Sequence, residues 1–352
     1  MASLLIISAC IDVYDPNIKT NKDYLVFEGM INTEPGPYVL TISHTSTYGN
    51  NQVYLPESGA ICEIRDKDGQ SYAMLETKPG TYATQDAGLT GQTGKTYTLH
   101  VMTKEGKEYQ SDEETIMPAA AIDTLYTAEK SIEYLSGSQG SQQTMTDYGY
   151  DLYLNLSGHS SDGGYYMYNV SVILQYMVSY TVGIQYYDTY CWKRLSTSHD
   201  ITILQTRSLK QDAFRGFRLL YFSKDTSGMQ FLVNRYPGST FVVHPNGYIA
   251  IVRQYSISED YYSFLERLQN ETSNQNRLFD PAVDQITGNI HCISDPGETV
   301  LGYFSASSVT SRAVFLAKKQ YNTLVQRMLP QLPIIPPDDY TDFSPPDFWI
   351  NP

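Results

Sequence analysis

Cys10 ends a short apolar run near the start of the chain, and the residues before it favour acylation of its sulfur. The order Ile7-Ser8-Ala9-Cys10 gives a branched apolar residue, two small residues and a cysteine, as in a bacterial lipobox. In that motif a diacylglycerol group is joined to the sulfur as a thioether, and the signal peptidase cuts before the cysteine. Several acyl chains make a stable anchor, whereas a single chain binds only marginally. The pattern predicts a signal peptide remnant at 1–9, and a lipid anchor and tether at 10–21.

Two features of this segment leave an alternative open. The apolar run is too short for a membrane span, which needs about 20 residues, and its composition also suits a buried strand. No Lys or Arg precedes Leu4, so the basic region of a signal peptide is missing. The lipobox is the preferred interpretation because Ser8 and Ala9, which fit the peptidase cleft, stand directly before the cysteine.

The other residue types that carry chemistry lack the spacing that a catalytic or metal site requires. The six histidines form no HxH or HxxxH pair and the four cysteines include no CxxC pair, so a zinc site has no support. There is no Gly-rich phosphate loop, no GxSxG elbow and no kinase signature. The carboxylates single out no acid–base pair. These absences predict a protein that is not an enzyme and has no catalytic residue, metal or cofactor.

The remaining cysteines raise the question of a disulfide. If Cys10 is lipidated, Cys62, Cys191 and Cys292 remain, and one of them must be unpaired or joined to another chain. In a strand pattern, Ala60, Cys62 and Ile64 alternate with Ile61, Glu63 and Arg65. We therefore expect Cys62 to face inward as a small apolar side chain. A Cys191–Cys292 pair is the economical prediction for an oxidising compartment. The alternative is three reduced, buried thiols, because sequence does not give connectivity.

Composition indicates a folded protein and argues against nucleic acid as a partner. Hydrophobic residues make up 41% of the 352 residues and charged residues 18%, which suits a packed core. The net charge is −14, whereas phosphate binding needs clustered Lys and Arg. The 31 tyrosines suit both strands and binding surfaces, and we expect most of them to serve sheets. No segment after Cys10 has the apolar continuity of a membrane helix, so we expect bilayer contact through the Cys10 anchor only.

The first globular unit is predicted over residues 22–118. Strand patterns at 23–32 and 38–45 are separated by a Gly-Pro turn, and further strands follow with turn signals at short intervals. The sequence DKDG at 66–69 starts like a calcium loop but lacks the later ligands, so it predicts a hairpin turn. Several short strands in this arrangement predict an immunoglobulin-like β-sandwich.

A larger β-rich domain is predicted over residues 119–330. A low-complexity stretch at 135–149 indicates a polar loop, and several long strand patterns follow it. One helix is predicted over 258–273 from apolar residues at helical spacing, with Ser256 and Glu259 as a capping box at its start.

The end of the chain, residues 331–352, is rich in proline and predicts an extended tail. The predicted fold class is therefore mainly β, with an N-terminal immunoglobulin-like β-sandwich followed by a larger β-rich domain that contains one or two helices.

The stretch FDPAVDQITGNIHCISDPGETVLGYFSASSV at 279–309 carries a family resemblance. Its Gly288-Asn289-Ile290, followed by Val300-Leu301-Gly302-Tyr303-Phe304, resembles the signature of a family of Bacteroidota lipoproteins called domain of unknown function 4249. The opening CIDVYDP, the strand YLVFEGMIN and the closing PPDFW are also similar, so the resemblance covers nearly the whole chain. Members often carry a cysteine pair in the Pro-rich tail, and this sequence has none there.

The resemblance implies a location and a partner but no activity. Genes of this family typically neighbour those of TonB-dependent outer-membrane receptors, which implies a non-enzymatic accessory subunit, binding or capping, on the outer membrane and facing the cell exterior. Asp12 and Asp15 fit export to the surface, and the alternative is an inward-facing lipoprotein. A second class is a structural or assembly factor of an outer-membrane complex without a small ligand. The small-molecule or peptide ligand is unknown. Asp123-Thr124-Leu125 also resembles a Bacteroidota O-glycosylation pattern, with Thr124 as the acceptor.

The lipobox predicts that membrane attachment depends on the Cys10 sulfur. Replacing Cys10→Ser removes the nucleophile for the thioether, so the variant should be uncleaved or should leave the membrane fraction. Metabolic labelling with radioactive palmitate, followed by fractionation, measures both effects. Label that persists in the Cys10→Ser protein would contradict the interpretation.

Overall fold

The computed structural model describes residues 23–45, 55–85, 89–138, 140–157, 164–182, 185–195, 202–206, 213–223, 242–274, 286–317 and 341–342. Within these ranges the chain is mainly β and contains a single helix. The predicted fold class is thereby confirmed, whereas the immunoglobulin-like arrangement of the first unit stays a prediction. Cys10, the tether and all of the tail except 341–342 lie outside the described residues.

Nine of the described strands lie in the first part of the chain, and most of them are short. They are β1 (Leu25–Asn32), β2 (Val39–His44), β3 (Leu55–Pro56), β4 (Ile61–Asp66), β5 (Ser71–Lys78), β6 (Thr81–Thr84), β7 (Thr96–Met102), β8 (Glu108–Ser111) and β9 (Glu114–Thr115).

The second part contains longer strands and the helix. Its elements are β10 (Ala121–Ser136), β11 (Gln143–Ser157), β12 (Tyr165–Val182), β13 (Gln185–Leu195), β14 (Thr202–Gln205), β15 (Ala213–Ser223), β16 (Val242–Ile257), α1 (Glu259–Asn274), β17 (Ile290–Cys292), β18 (Leu301–Ala317) and β19 (Thr341–Asp342).

The strands of the first part show the alternation of a sheet that is buried on one face. On β4, Cys62 and Ile64 are buried whereas Ile61 is exposed, since successive side chains of a strand point to opposite faces. The inward orientation predicted for Cys62 is confirmed, and burial raises the pKa of its thiol to about 12. The hairpin turn predicted at 66–69 is also present, with the Gly69 N–H donating to the Asp66 carbonyl at 3.0 Å.

Strand β18 joins the two parts of the molecule into one sheet. It pairs in parallel with β1 along 301–307 and antiparallel with β16 along 308–317, so the sheet continues from the first part to the second. The segment 290–306 also contributes Ile290, Cys292 and Phe304 to the first core. The unit that was predicted to end at 118 is therefore completed by residues far along the chain.

The second core lies between two sheet layers. Alternate residues of β12 and β16, including Val170, Val172 and Val252, pack against a separate three-stranded sheet of β10, β11 and β15. Tyr168 and Gln254 make this core partly polar: the Tyr168 hydroxyl donates to Gln254 Oε1 at 3.0 Å. Since the Gln254 amide in turn donates to the Ala120 carbonyl at 2.8 Å, these buried groups are satisfied within the protein.

The region predicted as a polar loop at 135–149 is instead the end of a long hairpin, so that prediction is wrong. Strand β10 continues to Ser136 and β11 begins at Gln143, with Ser136 directly opposite Gln143. The Ser141 N–H donates to the Ser138 carbonyl at 2.9 Å between the two strands. Cross-strand pairing with β10 overrides the polar local composition, because strand propensity depends strongly on tertiary context.

Helix α1 is confirmed over nearly its predicted range, but its cap is different. The Ser258 hydroxyl accepts from the Tyr261 N–H at 3.2 Å, which makes Ser258 the N-cap. The predicted cap Ser256 is wrong by two residues, and its hydroxyl instead accepts from the Ala120 N–H at 3.4 Å. Phe264 and Leu265 are buried in a cluster with Tyr165 and Tyr303. This helix, the one that the described residues contain, is not long and apolar enough to cross a membrane.

Gly302 is the position where β18 lies against β1, and substituting it tests that contact. A Cβ on Gly302 would lie 1.9 Å from the Phe27 carbonyl oxygen, and its φ is +93°. We expect Gly302→Ala to lower the free energy of unfolding by the left-handed strain of about 1–2 kcal/mol plus an overpacking cost of about 1–3 kcal/mol or more.

Gly69→Ala is the matched control, because Gly69 has a φ of +90° and nothing within 4 Å of the added Cβ. Urea-induced unfolding of both variants separates backbone strain from the steric clash. If both variants lose the same free energy of unfolding, the contact with the Phe27 backbone does not restrict position 302 to glycine.

Candidate functional site

Glu114 is a buried carboxylate at the meeting point of four elements. It lies on β9 and is only 4% exposed. Around it are Tyr303 from β18, Asn289 from the segment before β17, and Ser258 at the start of α1. These residues are called the Glu114 cluster below.

One oxygen of the carboxylate receives all of the hydrogen bonds within the cluster. The Tyr303 hydroxyl donates to Glu114 Oε1 at 2.6 Å, the Ser258 hydroxyl at 3.4 Å and the Asn289 amide at 3.5 Å. The other oxygen, Oε2, is buried and has no hydrogen-bond partner in the described structure. A buried carboxylate with one unsatisfied oxygen is expensive to ionise.

Burial therefore sets the protonation of Glu114. Desolvation raises the pKa of this carboxyl to about 7, and the negative charges of Asp260 and Asp112 act in the same direction. The hydrogen bonds from Tyr303 and Ser258 lower it, but not enough to offset burial. Burial, together with the adjoining Glu114 carboxylate, in turn raises the pKa of the Tyr303 hydroxyl above its ordinary range.

The signature residues at 288–289 and 302–304 build the walls of this cluster. A Cβ on Gly288 would lie 1.4 Å from the Gly302 carbonyl oxygen, so only glycine allows this segment to lie against β18. Asn289 then bonds the backbone of Phe304 twice, donating to its carbonyl at 2.9 Å and accepting from its N–H at 3.0 Å. The Asn289 side chain thus bonds the Phe304 backbone as a neighbouring strand would. These two hydrogen bonds hold Asn289 beside Glu114.

The Glu114 cluster contains residue types that serve in acid–base catalysis, but these residues are not accessible to a substrate. Glu114, Asn289 and Tyr303 are all buried, whereas a catalytic acid or base must reach the proton that it transfers. The geometry instead holds β9, α1 and β18 together through one polar contact point. Within the described residues, no three His, Cys, Asp or Glu side chains come together in a possible metal site.

A second candidate site is the exposed end of the β10–β11 hairpin, residues 127–136 and 143–148, called the arm below. Among the described residues, β15 pairs with β11 from Gly149 onward, so the arm has two described strands. Several of its large apolar side chains are exposed: Leu135 and Tyr148 at 64%, Tyr134 at 50%, Met145 and Ile132. An isolated two-stranded hairpin is marginally stable in water, and clustered exposed apolar residues mark interaction sites.

The predicted modification sites have different outcomes. Thr124 is exposed on β10 beside a β-bulge at Asp123, so its hydroxyl is reachable, and its glycosylation stays a prediction. Cys292 is a free, buried thiol on β17, which pairs with β8, whereas Cys191 lies on β13 near the other end of the sheet order. The structure gives no support to their disulfide, because 290–292 belongs to the first core.

Sequence reasoning missed both candidate sites for different reasons. Glu114 belongs to no motif of its own, and only the neighbouring family signature indicated that residues 288–304 mattered. The arm was missed because its polar composition predicted a loop rather than strands. Most of the tyrosines with described burial do serve cores, as expected, among them Tyr82, Tyr109, Tyr166 and Tyr168. The exposed tyrosines of the second part include Tyr126, Tyr134 and Tyr148 on the β10–β11 hairpin.

Comparison with known families gives one match and no activity. A family model described as "Domain of unknown function (DUF4249)" matches residues 11–313, which is most of the chain and includes both candidate sites. No curated protein matches the sequence.

The Glu114 cluster predicts that stability falls as pH rises. The folded pKa is about 7 and the ordinary value is 4.5, so the folded state holds its proton more tightly. The stabilising contribution of the protonated Glu114 carboxyl is complete below pH 4.5 and is lost as pH rises through about 7. That difference in pKa corresponds to about 3 kcal/mol.

Urea-induced unfolding at pH 4.5, 6 and 8 measures this dependence. In Glu114→Gln, which stays neutral, most of the decrease should disappear. Glu113→Gln is the matched control, because Glu113 is exposed and pairs with Lys67 at 2.8 Å, and it should keep the decrease. A Glu114→Gln profile parallel to that of the unsubstituted protein would contradict the assignment.

Proposed function

Because the chain belongs to the family described as domain of unknown function DUF4249, we propose that it is a surface lipoprotein of the outer membrane. It acts as a non-enzymatic accessory subunit of a TonB-dependent transporter and binds that partner through the arm. The observation that carries the proposal is the arm itself, whose apolar side chains are exposed on a two-stranded extension of the second core.

The exposed apolar side chains and the strands of the arm are suited to a protein–protein contact. Burying one large apolar side chain stabilises a complex by about 1.5–3 kcal/mol, and the arm presents five of them. Tyrosines such as Tyr134 and Tyr148 suit an interface because the ring buries apolar area while the hydroxyl stays hydrogen-bonded. Within the described part of the chain, no third strand pairs with the outer edges of the arm, and such edges offer pairing to an extended segment of a partner.

Because the predicted anchor holds the protein at the membrane, an interface of modest affinity is enough to keep a membrane partner bound. Residues 10–21 extend to at most about 40 Å, at roughly 3.3–3.6 Å per residue. A body held within that distance of the membrane meets membrane partners at a high effective concentration.

The alternative function is a structural or assembly factor of an outer-membrane complex without a small ligand. It is favoured by the location of the tyrosines in the second part: Tyr166, Tyr168 and Tyr248 fill the core rather than line a concave surface. Both functions use the arm, and they differ in whether the partner is a transporter or an assembly component.

The test is recovery of partners from native membranes with arm variants. Tyr134→Asp combined with Leu135→Asp places charge on both faces of the arm, and both residues are exposed, so the fold should be retained. We expect mild cross-linking of intact cells, detergent extraction and mass spectrometry to recover a TonB-dependent receptor with the unsubstituted protein. The variant should lose most of that recovery.

Leu75→Asp is the matched control, because Leu75 is 57% exposed on β5, away from the arm. It should recover the receptor normally. Recovery of assembly components alone would support the alternative function. If both variants retain the receptor equally, or if surface protease leaves the protein intact on whole cells, the proposal fails.

A further inference from the structure

Strand β10 lies at one end of the three-stranded sheet, so one of its backbone edges faces away from β11. Among the described residues, no strand pairs with that edge, and residues 128–136 are all exposed. We infer that the edge binds an extended antiparallel segment of a partner, with a Lys or Arg opposite Glu133 and an acidic residue opposite Lys130. The inference rests on the proposed function, because it names how the arm recognises its partner.

The pairing edge of β10 begins beyond a protected base. Arg312 donates to the carbonyls of Ile122, at 2.7 Å, and Asp123, and a β-bulge lies between Ile122 and Thr124. A bulge interrupts strand pairing locally. From Thr124 to Ser136 the register with β11 is continuous, and the sequence there contains no Pro. A long edge strand without bulges or Pro is a template for pairing with another chain.

The continuous register determines the face of the sheet on which each charge of β10 lies. Because side chains of a strand alternate between faces, Glu129 and Glu133 share the face of Leu125, which is buried at the base of the strand. Lys130 lies on the other face, together with the exposed Tyr134. One face of the edge is therefore acidic, and the other carries a positive charge.

This pattern of charges selects the sequence of an added strand. Main-chain hydrogen bonds supply the affinity of such a strand, and its side chains supply the specificity. Antiparallel pairing is slightly more stable per residue than parallel pairing. If one residue of an antiparallel segment lies opposite Glu133, the third residue after it lies opposite Lys130 and the fourth lies opposite Glu129. Since opposite charges attract across strands and like charges repel, the complementary segment is basic, acidic and basic at these three positions.

A second copy of this chain does not supply that pattern by antiparallel pairing. Two copies related by a two-fold axis would continue one sheet, in which directly opposed residues share a face. Lys130 lies on the other face from Glu129 and Glu133, so Lys130 of one copy never lies opposite either glutamate of the other. Pairing centred on Ser131 places Glu129 opposite Glu133, and pairing centred on Lys130 places that residue opposite itself. The charges therefore favour a different chain as the partner.

Two peptides of identical composition test the charge pattern on the intact chain. The matched peptide, Val-Thr-Lys-Thr-Val-Glu-Lys-Thr-Val, places its charges opposite Glu133, Lys130 and Glu129 in one register. The exchanged peptide, Val-Thr-Lys-Thr-Val-Lys-Glu-Thr-Val, satisfies at most one of these three charges in any antiparallel register. Fluorescence anisotropy of the labelled peptides measures both affinities. We expect saturable binding of the matched peptide, and binding of the exchanged peptide that is weaker by about fivefold or more.

A charge reversal at Glu133 locates the contact. Glu133→Lys should weaken binding of the matched peptide about fivefold. A matched peptide whose first Lys is replaced by Glu should recover most of that loss, because it restores opposite charges at this position. Glu105→Lys is the matched control, since Glu105 is exposed in the turn between β7 and β8, outside the arm, and it should bind the matched peptide normally. Circular dichroism and thermal unfolding verify the fold of both variants.

Sedimentation velocity without peptide tests the second copy as the occupant, and we expect a monomer. A dimer that is lost in the variant carrying Tyr134→Asp and Leu135→Asp would overturn the inference. The inference is also overturned if the matched peptide shows no saturable binding, if the two peptides bind equally, or if Glu133→Lys and Glu105→Lys bind the matched peptide alike.

These outcomes are distinguishable from failure of the proposed function. If the arm variant loses the receptor but the unsubstituted chain binds neither peptide, the inference fails and the proposed function is retained. If the chain binds the matched peptide selectively but recovers no receptor from membranes, the inference is retained and the transporter partner is wrong.

Discussion

The close passage of β18 against β1 on one side and the segment 287–289 on the other determines the rest of the structure. Gly302 lies within van der Waals distance of the Phe27 backbone, and Gly288 lies against Gly302. Three backbones approach each other there without side chains between them. Because β18 continues from this point into antiparallel pairing with β16, the first and second cores are built on a common strand.

That constraint explains why a carboxylate can be buried at Glu114. Once Asn289 is bonded to the backbone of Phe304, its amide and the Tyr303 hydroxyl face the interior in fixed positions and supply donors to Glu114. The helix adds Ser258 from its N-cap. Removing one partner leaves the carboxyl buried and less satisfied, which is more costly than the hydrogen bond itself is stabilising. Ordering of the helix and of β18 is thus coupled through a single side chain.

The parts of the structure that follow from local pattern were predictable, and the parts that follow from distant pairing were not. Alternation placed Cys62 inside, and helical spacing located α1. By contrast, the return of 290–306 to the first core depends on parallel pairing with β1, which leaves no local signal. The same holds for Cys292, whose neighbours are set by β8 rather than by the strands nearest to it in sequence. Polar residues around 135–149 indicated a loop because their strand pairing is invisible in composition.

The surface that we propose for a partner lies where the described residues place no second layer over the sheet. In the second part, two described sheet layers enclose Tyr166, Tyr168 and Tyr248 between them. The arm extends beyond the described residues of β15, and Tyr134 and Leu135 are exposed there. The base of the arm therefore belongs to strands whose position is already fixed by buried contacts. A partner that binds the arm meets strands that are held at one end, so less of its binding energy is lost to ordering the protein.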